Sequence, residues 1–331
     1  MTDRGSLWAV VLSGGGGGRL RHLVQQAFGE ARPKQYVKLL GPHSLLRQTL
    51  DRVALRISPS RTVVVTVRSH TGYIAGEFTG QAEPPYVLVQ PADRGTAAGV
   101  LYPAHWISWR NPEATVAIFP SDHFVLGEAT FMAHVAEVAR SLDRHPDRVV
   151  LLGAPPTSPE NDYGWIEPGS PIDGHDGVVS AVRQFWERPP EAQVQMCLAS
   201  GCLWNTAIVV AKVATLVELG SHAIPKMSER LARIERFVDH DEEPAAVHQA
   251  YALMTRASFA RDVLEAQPER LGVSRLPRVT WYDLSTPRRV LDVLARMRVR
   301  PAWADLVDKS PVREAAPSAA VAPAIQPAVS L

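Results

Sequence analysis

Short, almost unbroken apolar runs recur along the chain, separated by stretches in which apolar residues return every three or four positions. The runs at residues 8–12, 62–67, 86–90, 115–119, 149–153 and 178–187 are rich in Val, Ile and Leu. Continuous apolar character over so few residues predicts strands buried on both faces, as in a parallel sheet. Between them, Leu45, Leu46, Thr49, Leu50 and Val53 share one helix face, as do Phe131, Val135, Val138, Ala139 and Leu142. Alternating strands and helices predict an α/β protein with a Rossmann-like, doubly wound sheet, mixed but mostly parallel. From Lys212 onward helical patterns dominate, at residues 213–220, 226–238 and 245–254. A short strand near 278–282 and a helix over 287–296 follow, with Pro287 suited to a first turn. The expected organisation is an α/β core over 1–211, a helical segment over 212–308 and an Ala/Pro-rich tail over 309–331, which is read as disordered.

Composition narrows the partners. The 331 residues are 46% hydrophobic with a formal net charge of +1. That balance supports a large core and argues against nucleic acid or an anionic membrane as a partner. Cys197 and Cys202 have no second Cys or His cluster nearby, so free thiols are expected rather than a zinc site. The apolar run at 7–12 is too short for a signal sequence or a membrane span. A soluble cytoplasmic protein is the expectation.

The segment after the first run breaks the pattern. Leu12 and Ser13 lead into five consecutive glycines, Gly14 to Gly18, then Arg19 and Leu20, with Pro33, Lys34 and Gln35 close behind. Glycine loses the most backbone entropy on folding and adds no side chain to a core, so such a run serves close approach of the backbone to something else. Arg19 and Lys34 imply an anion, and backbone N–H groups between a strand and a helix start would face it. A flexible linker would not sit between those two elements. The Walker pattern fails because Arg19 and Leu20 stand where Lys and Ser/Thr belong, and G-x-G-x-x-G fails at its third glycine. A nicotinamide-dependent dehydrogenase is therefore discounted.

In a parallel sheet, ligands gather beyond the carboxyl ends of the strands. The residues expected there are Gln90 to Ala97, including Arg94, Gly95 and Thr96, then Pro120, Ser121, Asp122 and His123. Tyr163, Gly164 and Trp165 follow, then Glu187, Arg188 and Pro189, Trp204 and Asn205, and finally Trp281 and Asp283. Taken in order with Gly14–Leu20 and Pro33–Gln35, this set resembles the sugar-1-phosphate nucleotidyltransferases, most closely the mannose-1-phosphate guanylyltransferases. The matches run from about residue 8 to 290. Each motif alone is weak, and their order gives the specificity.

The resemblance implies a nucleotide-diphospho-sugar transferase fold and in-line transfer from GTP to mannose 1-phosphate or a related sugar 1-phosphate, with release of pyrophosphate. A phosphate oxygen is already anionic, so no general base is needed, and catalysis reduces to positioning and charge stabilisation. Arg19, Lys34 and Asp122 are the implied catalytic groups, with Asp122 and Asp283 as ligands of Mg²⁺. Leu12, Gly14, Gly15, Gly17, Gly18, Gln90, Arg94, Gly95, Thr96, Ala97 and Ser121 are implied to bind nucleotide. Tyr163, Gly164, Glu187, Arg188 and Asn205 are implied to bind the sugar phosphate. Taken singly, Asp122 reads equally well as a helix N-cap, Arg94 as a solvated charge, and Trp165, Trp186 and Trp204 as core. His123 reads as an orienting neighbour rather than a catalyst.

Some positions depart from the family pattern. Arg188 stands where the family has lysine, an exchange that is not conservative. Late Asp and Lys positions of the family appear as Ala260 and Ala266. The appended isomerase domain has no counterpart in the 331 residues, so no second activity is expected. These departures leave two alternatives, a non-catalytic nucleotide-sugar-binding subunit or the same chemistry with another nucleotide or sugar. The segment after Lys212 is open to two roles, a homodimer surface or a cap over the site. Gly16 and Gly18 stand where relatives carry Ser and Thr, so the loop is expected to order only on nucleotide binding. Tryptic cleavage at Arg19 should slow on adding GTP and Mg²⁺, and unchanged cleavage would count against that expectation.

Overall fold

Side chains alternate across a strand, and β1 (Leu7–Leu12) shows the consequence. Trp8 and Val10 enter one apolar cluster, while Ala9 and Val11 enter another on the opposite face. The computed structural model describes residues 7–79, 82–173 and 177–304, and the predicted tail over 309–331 lies outside them. In β2 (Thr62–Val67), Val63 and Val65 join the first cluster and Val64 the second. Beyond β3 (Tyr86–Gln90), Val116 and Ile118 of β4 (Thr115–Pro120) face the first cluster, and Ala117 and Phe119 the second. Helices Thr96–Arg110 and Val213–Ala223 cover one face, and Leu45–Ala54 and Glu128–Ser141 the other. The sheet is doubly wound.

The remaining strands are β5 (His123–Leu126), β6 (Val149–Ala154), β7 (Gly164–Pro171), β8 (Ser180–Glu187), β9 (Leu203–Lys212), β10 (Leu271–Arg275) and β11 (Thr280–Asp283). The main sheet runs β3-β2-β1-β4-β9-β6-β10-β8-β7, and β5 and β11 form a separate ribbon. Its first four strands are parallel, so their C-terminal loops collect along one edge. The expected parallel character holds there; the other half is antiparallel except for β6 with β10. The cause is β9, which returns between β4 and β6 and forks the sheet. Its first residues pair with β7 and β6, and its last with β4 and β6. At the fork Ala207 has φ 55°, with its amide held by Asn205 Oδ1 (3.0 Å), while Thr206 Oγ1 donates to Leu152 O (2.6 Å).

Residues 212–304 supply the expected helices but are not an addition to a finished core. They place β10 inside the main sheet and β11 against β5. Helix Thr96–Arg110 starts directly after Gly95. Ala97 is fully buried and its amide donates to Ala257 O (3.1 Å), while Ala257 N donates to Arg94 O (3.0 Å). Gly95 is required at this junction. Its φ is +85°, and a Cβ would lie 2.1 Å from Ala257 O. Gly95→Ala should therefore lower stability by about 2–4 kcal/mol, read as a reduced urea midpoint at unchanged slope.

Candidate active site

The end of β1 is tied into its neighbours before the glycine loop begins. Ser13 N donates to Val65 O (2.7 Å), and Ser121 N donates to Leu12 O (3.1 Å). Gln35 Nε2 then donates to both Ser13 O (3.0 Å) and Gly15 O (2.8 Å). Tyr36 OH donates to Ser13 O (3.0 Å) and pairs with Thr66 Oγ1 (2.9 Å). The carbonyls of Ser13 and Gly15 are thus pinned to the protein. Among the described residues the amides of Gly14, Gly15, Gly16 and Gly17 have no acceptor, which is the arrangement of an anion cradle. Arg19, at the loop's exit, pairs with Asp162 Oδ2 at 2.5 Å, and both side chains are substantially exposed.

Lys34 occupies the centre. The turn Lys34–Tyr36 buries it to 8% exposure, and its Nζ lies 2.7 Å from Asp122 Oδ2, 3.9 Å from Asp283 Oδ1 and 2.9 Å from Leu284 O. Asp122 lies in the turn between β4 and β5, and Asp283 ends β11. The antiparallel ribbon sets His123 opposite Asp283 and so brings two carboxylates 161 positions apart to one ammonium. Burial opposes ionisation of Asp122, but the adjacent Lys34 ammonium overcomes this and holds the carboxyl below its usual range. Burial also keeps His123 below the usual imidazole range despite Asp122 and Asp283. Trp281 Nε1–H donates to His123 Nδ1 (3.2 Å), so that nitrogen is the unprotonated one. The two rings also meet edge to face, 5.2 Å between centroids.

Arg289, unremarked in the sequence, closes the network. Its Nη1 donates to Asp283 Oδ2 (3.2 Å) and Ser285 Oγ (2.8 Å), and its Nη2 to Glu160 Oε2 (2.9 Å). The guanidinium lies 4.3 Å from the centre of the Tyr163 ring. Tyr163 also packs on Trp204 and Trp281 (4.8 and 5.8 Å between centroids) and is nearly buried.

Gly164, Glu187 and Asn205 come together on adjacent strands. A Cβ at Gly164 would lie 3.0 Å from Glu187 Oε2 and 3.2 Å from Asn205 Cβ, so glycine keeps that corner open. Glu265, which carried no role in the sequence, accepts the Glu187 amide (3.3 Å). Arg188 has φ 53°, is largely exposed and stands 3.6 Å from Glu187 Oε1. Burial raises the Glu187 pKa and Glu265 adds to the rise, outweighing Arg188 and Arg261.

The segment from Gln90 to Ala97, implied to bind nucleotide, is held from behind. Gln90 is buried and accepts from Tyr251 OH (3.2 Å), and Arg94 Nε donates to Tyr251 O (2.9 Å). Thr96 Oγ1 accepts from Phe259 N (2.8 Å). Arg94, Thr96 and Ala97 thus dock residues 251–259 onto the sheet, and the Ala97 side chain is fully buried there. Gly14 sits beside Gln90, whose Nε2 would be 3.3 Å from a Cβ there. Ser121 is buried at the end of β4.

A family model described as "Nucleotidyl transferase" matches residues 8–299. The chain belongs to that family. Among curated relatives of the chain, the xanthan biosynthesis protein XanB of Xanthomonas campestris pv. campestris (strain B100) is 31% identical over 212 residues, 63% of this chain and 43% of that protein. The alginate biosynthesis protein AlgA of Pseudomonas aeruginosa is 27% identical over 301 residues, 87% of this chain and 58% of that one. Mannose-1-phosphate guanylyltransferase 2 of Escherichia coli O157:H7 is 27% identical over 218 residues, 63% and 44% respectively. The chain therefore spans about half the length of the curated relatives it matches. A crystal structure titled mannose-1-phosphate geranyltransferase, from Thermus thermophilus, superposes with TM-score 0.74 at 26% identity, covering 89% of this chain and 80% of that one. UDP-glucose pyrophosphorylase bound to UDP-glucose shares the fold at TM-score 0.53 and 11% identity, covering 88% and 98%. No helix among the described residues is long and apolar enough to cross a membrane.

The raised Glu187 pKa has a stability consequence. A carboxyl whose folded pKa lies above its unfolded value binds more protons folded, so stability falls as pH rises between the two values. Glu187→Gln lacks that penalty. Its melting temperature relative to wild type should climb from pH 4 toward neutrality, as scanning calorimetry would show; a flat difference would contradict the assignment.

Proposed function

We propose that the chain transfers the guanylyl group of GTP to mannose 1-phosphate or a closely related sugar 1-phosphate, with Mg²⁺. The observation that carries this reading is the cluster of Lys34, Asp122 and Asp283 beside a glycine loop whose amides have no acceptor among the described residues. The names of the relatives support the choice of substrates. Asp122 and Asp283 fit Mg²⁺, which is held by one or two carboxylates and completes its shell with phosphate and water. Among the described residues no group of three or more His, Cys, Asp or Glu could hold a metal alone, so substrate would have to contribute. Bound there, Mg²⁺ would supply positive charge shared between the carboxylates and the phosphates.

The protein's own groups act as follows. A phosphate oxygen of the sugar 1-phosphate attacks the α-phosphorus, an O–P bond forms, and the bond to the β-phosphate oxygen breaks with its electron pair leaving on pyrophosphate. Glycine-loop amides and Arg19 hold the departing pyrophosphate, and Lys34 neutralises charge where the two polyanions meet. Gly164, Glu187 and Asn205 hold the sugar, with Arg188 available to its phosphate. Gln90 and Arg94 form the wall behind the base. The chain is placed in the cytoplasm on this reading, and a homodimer is compatible with it.

The test is pyrophosphate release from mannose 1-phosphate, and from other sugar 1-phosphates, paired with each nucleoside triphosphate. Release with GTP supports the reading, and release with another nucleotide alone moves it within the family. GDP-mannose binding without turnover for any pair would replace it with a binding subunit. Asp122→Asn should cut turnover by about 10²–10³-fold while its circular dichroism spectrum stays unchanged.

A further inference from the structure

We propose that Arg289 is a positioning residue that ties the Asp283 carboxylate to the Glu160–Gly164 segment, so that the divalent-cation site and the sugar site are set by one side chain. The inference rests on the function proposed above. Its starting point is a residue in the wrong place for a helix. Arg289 is the third residue of helix Pro287–Met297, where the helix dipole disfavours a cation, and it is only 8% exposed, where charge is costly. Such a group persists when several partners fix it.

The partners lie on two remote parts of the chain. Toward the C-terminus, Arg289 Nη1 holds Asp283 Oδ2 (3.2 Å) and Ser285 Oγ (2.8 Å), leaving Asp283 Oδ1 as the oxygen on the Lys34 side. Toward residue 160, Nη2 holds Glu160 Oε2 (2.9 Å), and the guanidinium covers the Tyr163 ring. Glu160 passes that constraint on. Its carbonyl accepts from Trp165 Nε1 (2.8 Å), and Trp165 pairs with Trp204, the neighbour of Asn205. The segment from Glu160 to Gly164 is therefore fixed at one point by the residue that orients Asp283. Lysine offers a point charge rather than a planar fork and cannot hold both carboxylates in this geometry.

The experiment uses the full chain and two readouts. Mn²⁺ binding in the presence of GTP is followed by electron paramagnetic resonance, and pyrophosphate release gives KM and kcat for mannose 1-phosphate at saturating GTP. Arg289→Gln should weaken Mn²⁺ binding by about tenfold and raise KM by a similar factor. Glu160→Gln cuts only one arm, so it should raise KM by about tenfold while Mn²⁺ affinity stays within about twofold. Arg289→Lys should regain part of the Mn²⁺ affinity and little of the KM. Folded Arg289→Gln with wild-type Mn²⁺ affinity and KM, whatever its melting temperature, would make the residue merely structural and overturn the proposal. If that variant does not fold, an unchanged KM in Glu160→Gln overturns it. Absence of turnover in wild type would instead remove the proposed function, while the Mn²⁺ comparison would still decide the Asp283 arm.

Discussion

An ammonium buried without partners costs several kcal/mol, and removing one member of a buried ion group leaves the others uncompensated. Lys34 imposes that constraint here. Its Nζ is enclosed by Asp122, Asp283 and the Leu284 carbonyl, groups drawn from the β4–β5 turn and the end of β11. For those groups to arrive, β11 must lie against β5, and helix Pro287–Met297 must pack with Leu20, Leu23 and Val24 in a third apolar cluster. The cluster also holds Phe124, two residues after Asp122, and Leu284, next to Asp283. Apolar packing and charge compensation therefore converge on the same elements.

How much of this is legible in the sequence depends on what each residue packs against. β1, β2, β3, β4 and β6 are visible because their apolar runs are unbroken. Helix Thr96–Arg110 is invisible to periodicity because residues 97–107 are buried all round, leaving no polar face to set a rhythm. β7 carries Gly164, Pro168, Gly169 and Pro171, which read as loop, and β10 is five residues interrupted by Gly272. β9 mixes a motif with an apolar run leading into a helix, and only the fork explains why both belong to one strand.

The site divides in the same way. Gly14–Arg19, Lys34, Asp122 and Asp283 stand out because strand ends focus attention on them. Arg289, Glu160 and Gln35 do not, since each is an ordinary polar residue until a partner many positions away meets it. Glu160 and Arg289 are 129 positions apart, and no local pattern encodes that distance. Gln35 lies within a visible motif, but its work of pinning two loop carbonyls is a matter of geometry alone. Arg94 shows the reverse. Its motif suggests a ligand contact, while its guanidinium caps the C-terminal carbonyls of helix Glu243–Ala252, a favourable place for a cation.

The β5–β11 ribbon has one more consequence. A two-stranded ribbon is marginal alone in water, and this one pairs four residues of each strand, outside the nine-stranded sheet. Regions of this kind open locally at lower free energy than a central sheet. Asp283 rides on that ribbon, whereas the glycine loop is anchored to the sheet's central strands. The capacity to cradle an anion and the capacity to gather two carboxylates thus have different resilience within one molecule. The cradle thus belongs to the sheet, and the carboxylate pair to a ribbon that keeps its place through the packing of Phe124 and Leu284 and the charge of Lys34.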